Sequence, residues 1–329
     1  METIPFNRKL TDTGNPAEFG RQEQFWAGEV LKDVFKGKRL AKEISNSFRF
    51  YDPEHLLEHF GLKGIEFGQW LSQEARYIYL AGAAYGMRDF CEILDIEPKR
   101  FGLKNRITLA LGARGHSRAV AHFEPSTFAI NITRHSKREL SPVYKYFHSG
   151  AGSLGHEYAH ALDFYAGQYI DTKGNFNFLS DSLKEIFAYS YYQNEQRFYV
   201  YNPLKKTDAH FELKQAIVDS LGALLFKPTR DKNGAGKEIY TETFFYSNLK
   251  AEIAKNEGMG DYWLEIIEIF ARSYEVFLFK KCNEAGIEES FLKKTKYEVF
   301  LYPSAKLFTK EIERAFAKFT RLTIQAANK

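Results

Sequence analysis

The five residues His156-Glu157-Tyr158-Ala159-His160 constrain this chain more than any other stretch. Two histidines four apart lie on one face of a helix, one turn from each other, so their imidazoles can converge on a single cation. The surroundings agree with a helix, because Leu154 and Leu162 flank the motif and no proline interrupts the run from Leu154 to Gly167. The glutamate between the histidines can reach a water on the cation and take its proton, once the cation has brought that water's pKa down to about 7. Imidazole and carboxylate donors favour zinc. The pattern therefore predicts a Zn2+ site with His156 and His160 as ligands and Glu157 as general base.

A catalytic zinc needs a third protein ligand and one open position. A third histidine six residues after His160 would complete one known type of site, but that position is Ala166. Three glutamates compete instead. Glu185 lies 25 residues after His160, and Glu268 lies 108 after it, on a segment whose Ile266, Ile269, Phe270, Ser273 and Phe277 can pack inward. Glu275 is one heptad beyond Glu268 on the same face. A carboxylate in an apolar face is costly unless it meets a cation, which ranks Glu268 first, Glu275 second and Glu185 third. Asp163 is too close to His160 along the helix to join the same ion easily, and is expected to orient an imidazole. Tyr262 and Tyr274 flank Glu268, and either phenol can stabilise an oxyanion. His122, in a predicted strand, is a further hydrogen-bonding candidate. The inverted motif His55-Leu-Leu-Glu58-His59 follows Asp52-Pro53 in a short helix whose buried face is Leu56, Leu57 and Phe60. It reads as a helix with incidental histidines.

Composition narrows the setting. With 44% hydrophobic and 27% charged residues the chain is globular, and 16% aromatics supply a sizeable core. Only Cys91 and Cys282 occur, which excludes a disulfide framework and points to a reducing, cytoplasmic setting. The N-terminal segment lacks the apolar stretch of a signal peptide. The longest apolar runs, near 77–85 and 216–226, fall short of the roughly 18 residues of a membrane span. Between Ser304 and Lys329 six cations face two carboxylates, which alone equals the net charge of +4. That segment reads as a basic helix with a solvated face.

The periodicity predicts an α+β chain with a small central sheet and many helices around it. An arm over 1–20 precedes helices at 22–40, from Pro53, and from Trp70 to Ile96. The last carries small residues, Ala81 to Ala84 and Gly86, suited to close helix contact. Strands follow at Ile107–Leu111, Ala119–Phe123 and Thr127–Thr133, the latter two as a hairpin, then a basic loop from Arg134 to about Gly150. Arg114-Gly-His-Ser-Arg118 reads as a tight basic turn suited to an anion or substrate carboxylate. After the metal helix, the rest reads as helices near 180–192, 208–226, 243–256, 260–282 and 303–321, with 228–237 a surface loop. The expected parts are 1–60, an arm with helices; 61–282, the core domain with an insertion at about 169–260; and 283–329, a basic helical extension.

Several stretches together resemble one family. They are Phe67-Gly-Gln-Trp-Leu-Ser-Gln-Glu74, Gly112-Ala-Arg-Gly115, Ala121-His-Phe-Glu-Pro125, Ile130-Asn-Ile-Thr133, the run from Gly150 to Asp163, and Glu268-Ile-Phe-Ala-Arg-Ser-Tyr-Glu275. The family is the first large polyvalent protein-associated domain of phages, plasmids and conjugative elements, and the resemblance covers roughly 60–282. It implies a protein of mobile DNA acting in a bacterial host cell. The metal helix is also similar to that of the anthrax lethal factor type of protease, whose third ligand opens a Glu-Phe-Phe-Ala stretch. Glu268 heads Glu-Ile-Phe-Ala here, and Arg272 stands where that type has a glutamate.

The function expected is zinc-dependent, gluzincin-like hydrolysis of a peptide bond in a host protein, with an extended substrate pairing on strand 127–133 or on 119–123. The alternative is a non-proteolytic accessory protein that keeps the fold and binds a host defence factor or nucleic acid through loop 134–145 and the last helix. A metal-dependent amidase on a non-peptide substrate is a third reading.

Overall fold

The computed structural model describes residues 53–68, 73–114, 120–133, 152–170, 177–194, 196–233, 235–256, 258–287, 291–293 and 300–329. The arm and helix expected before residue 40, Trp70, His116, His135 and the loop 134–150 lie outside them. The chain forms two compact units, one of residues up to Ala161 with Leu278–Thr295, the other mainly of Leu162–Phe277 and Lys296–Ala327.

In the first unit, Pro53 opens α1 (Pro53–Phe60), where its fixed φ suits a first turn and its missing N–H is not needed. Leu56 and Phe60 are fully buried. Gly61 then takes a left-handed φ of +61°, in a spot where a Cβ would stand 2.2 Å from the carbonyl oxygen of Lys99. That turn leads into a four-stranded sheet of β1 (Gly64–Phe67), β2 (Thr108–Leu111), β3 (Ala121–Glu124) and β4 (Ala129–Ile132), ordered β1-β2-β4-β3. β1, β2 and β4 are parallel, and β3 runs antiparallel on the edge. The last three strands fall where the residues predict them. β1 escapes prediction because four residues between two helices show no period. The order also bears on one expectation: among the described residues β4 is paired on both sides, so of the two strands expected to receive a substrate only β3 lies at an edge, β1 being the other edge of the sheet.

α2 (Gln73–Leu94) crosses the start of α3 (Leu154–Ile170) closely. A Cβ on Gly86 would lie 3.2 Å from Leu154 Cδ2, and Ala81, Ala83 and Ala84 are buried, as their size predicts. Tyr158 anchors α3 by stacking on Phe101 at 4.1 Å and donating its hydroxyl to the Phe101 carbonyl at 2.7 Å.

The second unit departs from the helical expectation. Between Phe187 and Glu242 lies a second, antiparallel sheet of β5 (Phe187–Gln193), β6 (Gln196–Tyr201), β7 (Phe226–Lys232) and β8 (Glu238–Glu242), ordered β5-β6-β8-β7. The helix expected over 180–192 shrinks to a 3-10 turn at Leu179–Ser182 and the single turn α4 (Leu183–Ile186), and the loop expected at 228–237 is largely β7. The reason is visible in the residues. Tyr189, Tyr191, Phe198, Tyr199 and Tyr201 belong to the types that fit a pleated surface, and their cross-strand ring pairs hold β5 to β6. The helix predicted at 208–226 is present as α5 (Phe211–Ile217), continued by a π-turn at Val218–Gly222 and one last turn to Leu225. α6 (Phe244–Lys255), capped by Thr243, a 3-10 turn at Asp261–Leu264, α7 (Ile266–Glu284) and α8 (Lys310–Ala327) complete the order. In this unit Phe270, Tyr274 and Phe277 of α7 meet Phe316 of α8 in one aromatic cluster.

Candidate metal centre

α3 presents His156 and His160 one turn apart, with ring centroids 5.0 Å from each other. The geometry depends on close packing just before the motif. A Cβ on Gly155 would lie 2.6 Å from Leu278 Cδ1 and 2.7 Å from the Leu292 carbonyl, so only glycine lets this turn approach that backbone. Glu268 sits in the first turn of α7. One ligand atom each of His156, His160 and Glu268 lies within 4.8 Å of the other two. Of the three glutamates that compete as third ligand, the structure gathers Glu268 with the histidines. Glu185 is exposed on α4, and Glu275, fully buried on α7, is outside that group.

The donor set fits zinc. Two imidazoles and a carboxylate are its borderline donors, and ligands at about 2.1 Å in a tetrahedron stand roughly 3.4 Å apart, within reach of small rotamer adjustments from the observed spread. His160, Glu157 and Glu268 are all buried, at 8%, 6% and 6% exposure, whereas His156 is only half-buried. Burial on this scale excludes bulk water from most of these side chains, and His156 keeps partial exposure.

Other expected residues fall elsewhere. Asp163 does not serve an imidazole: its two oxygens accept from the Ser180 N–H at 2.8 Å and the Ser180 hydroxyl at 2.6 Å, which ties α3 to the turn that follows it. Complete burial raises its pKa to about 7 against the opposing pull of those hydrogen bonds. Tyr274 is fully buried and bonded to Thr320 Oγ1 at 2.7 Å, and burial drives its phenol pKa up, so it is a core residue and no oxyanion donor. Tyr262 is 52% exposed on the turn preceding α7, edge-on to Trp263.

Arg272 is buried at 1% exposure. Its Nε donates to the Glu268 carbonyl at 3.1 Å, its Nη2 donates to the Trp263 carbonyl, and its guanidinium lies over the Trp263 ring at 5.4 Å. It therefore pins the turn Asp261–Leu264 onto the start of α7, beside Glu268. Burial lowers its pKa from the usual arginine value.

His122 lies on the edge strand β3 with Nε2 at 3.2 Å from Glu124 Oε1. Burial opposes ionisation of Glu124, but hydrogen bonds from Arg114, His122 and Thr127 outweigh it and lower the carboxyl pKa. The same network engages Arg114, while the rest of the basic turn expected to take an anion, residues 115–118, lies outside the described residues. The Arg114 guanidinium is held by both Glu66 oxygens at 2.8 Å and by Glu124 at 2.6 Å. It spans the sheet from β1 to β3, and with Thr127 Oγ1 taking a further Nη1 N–H at 3.0 Å four of its five donors are committed inside the fold. Single residues gave no sign of this brace, since Glu66 and Glu124 become neighbours only through the strand order. His55 and His59 stack on each other at 5.4 Å, and no third donor joins them among the described residues. On α8, Lys318 pairs with Glu212 and Lys310 with Glu313, so part of its basic face is already neutralised. No helix among the described residues is long and apolar enough to cross a membrane.

Residues 254–327 match the family model described as large polyvalent protein-associated domain 1. The match takes in Glu268 to Glu275 and all of α7 and α8, and leaves the His156–His160 segment outside it. No curated protein and no solved structure matches the chain.

Proposed function

We propose that the chain is a zinc-dependent metallopeptidase of a mobile genetic element, active in the cytoplasm of a bacterial host on a protein or peptide substrate. The observation that carries this reading is the convergence of His156, His160 and Glu268, the last 108 residues after His160, with a buried Glu157 between the histidines. Structural histidines have no need of a distant buried carboxylate beside them, whereas a three-ligand zinc does. The mobile-element setting rests on the matched domain.

His156, His160 and Glu268 would hold the ion. Zinc bound there would supply Lewis acidity, to polarise a substrate carbonyl and lower the pKa of a water to about 7. Glu157 accepts the proton of the attacking water at a carboxylate oxygen and delivers it to the leaving amine. Burial of Glu157 keeps that proton from exchanging freely with solvent. β3, an edge strand among the described residues, would align an extended peptide through main-chain hydrogen bonds, and the Arg114 brace to Glu66 and Glu124 keeps that strand in place.

The test is metal content and hydrolysis together. Purified protein should carry near-stoichiometric zinc that is lost in His156→Ala and in Glu268→Ala. Glu157→Gln should keep the zinc and lose cleavage by at least about a hundredfold, the usual scale for a general base. Undiminished cleavage by Glu157→Gln refutes the mechanism. Zinc lost with His156→Ala but kept in Glu268→Ala would move the third ligand to Glu275 or Glu185.

A further inference from the structure

Arg272 presents a charge that the fold leaves unanswered. A fully buried guanidinium normally sits against a carboxylate, because an uncompensated buried cation is costly. Here the described residues give it two backbone carbonyls and a ring, and no ion pair; its Nη1 is buried without a hydrogen-bond partner. The carboxylates of Glu268 and Glu275, with the phenols of Tyr302 and Tyr262, act on it through space. With Glu268 committed to a metal ion, even that compensation is reduced. The residue stands one turn beyond Glu268 on the same face of α7, so the unanswered charge adjoins the candidate centre. The turn Asp261–Leu264 lies over it, held by the bond to the Trp263 carbonyl and by the Trp263 ring, and Tyr262 on that turn is half-exposed.

We propose that Arg272 determines specificity: its Nη1 takes a carboxylate of the peptide held at the metal centre, so that the site selects anionic substrates. This rests on the metallopeptidase reading for the location of the peptide. The guanidinium remains bonded to the Glu268 and Trp263 carbonyls, and the incoming carboxylate supplies the missing counter-charge once the 261–264 turn admits it. The carboxylate has two possible sources, a free peptide C-terminus or an Asp or Glu side chain.

The experiment titrates the full-length Glu157→Gln protein by calorimetry, with zinc content recorded for every sample. The ligands are acetylated peptides of one apolar sequence ending in a free carboxylate or a carboxamide, and amidated versions carrying one internal Glu or Gln. Binding should be on the order of tenfold tighter for a carboxylate-bearing peptide than for its amide, the scale of one charge-assisted hydrogen bond. A gain for the free C-terminus identifies an exopeptidase-like site, and a gain for internal Glu an acidic-residue preference. Arg272→Met in the same background should erase the difference, and Arg272→Lys should retain part of it. Equal affinities for acid and amide, or a preference that survives Arg272→Met, overturn the proposal. Absence of zinc defeats the metal-centre reading alone, since the carboxylate preference is read in the same titrations.

Discussion

At the scale of single residues, the two helical histidines and their glutamate were legible because one turn of helix is enough to predict their convergence. Glu268 was legible by a different route, as a carboxylate on an otherwise apolar face. Asp163 misled for a physical reason. Its spacing from His160 suggested a partner on the same helix, but a buried carboxylate takes whatever donors are nearest, and Ser180 arrives from the next turn. This has a measurable consequence. Burial raises the carboxyl pKa to about 7 in the fold against 3.8 for an ordinary aspartate, so between those values the native state binds a proton that the unfolded chain has released. Stability should therefore fall as pH rises from about 4 to about 7, and Asp163→Asn should flatten that slope in melting temperatures taken across the window. Tyr274→Phe tests the other misplaced candidate. Losing the bond to Thr320 should cost about 1 kcal/mol of unfolding free energy by denaturant titration. Zinc content and hydrolysis per folded molecule should not change, since the phenol is buried in the cluster with Phe316.

At the scale of elements, the approach of α3 to the segment around Leu278 and Leu292 is the most sensitive joint. Gly155→Ala places a methyl against a backbone carbonyl that has little freedom to retreat. Overpacking of this kind costs about 1–3 kcal/mol. Because the glycine immediately precedes His156, the same substitution should also weaken zinc binding in a competition with a chromophoric chelator. A destabilised protein with unaltered zinc affinity would show that the histidine turn is set elsewhere. The first sheet was readable from its hydrophobic runs, and its strand order was not, because the partner of each strand depends on chain outside the window that a period can sample. The second sheet was missed outright. Its strands sit beside helical turns, and the tyrosine-rich stretch 187–201 shows its alternation only once the bulge between Tyr189 and Tyr191 is allowed for.

At the scale of the whole molecule, the proposed ligands link stretches far apart in sequence, so metal occupancy should report on folding. A ligand that binds only the native state stabilises it by about 2.7 kcal/mol at a hundred times its Kd. Zinc should accordingly raise the melting temperature of the wild-type chain, and a chelator should lower it, with both shifts abolished in His156→Ala. The expected break near 282 falls at the end of α7, whereas the matched family stretch continues through α8. The second sheet lies between the histidines and Glu268 in chain order, and this places a delay inside synthesis itself. At a ribosomal pace of about 5–20 residues per second, His160 leads Glu268 by 108 positions, or roughly 5–20 seconds. A nascent chain therefore displays its histidine helix well before Glu268 exists, and the proposed three-ligand centre cannot be completed until translation has passed that point.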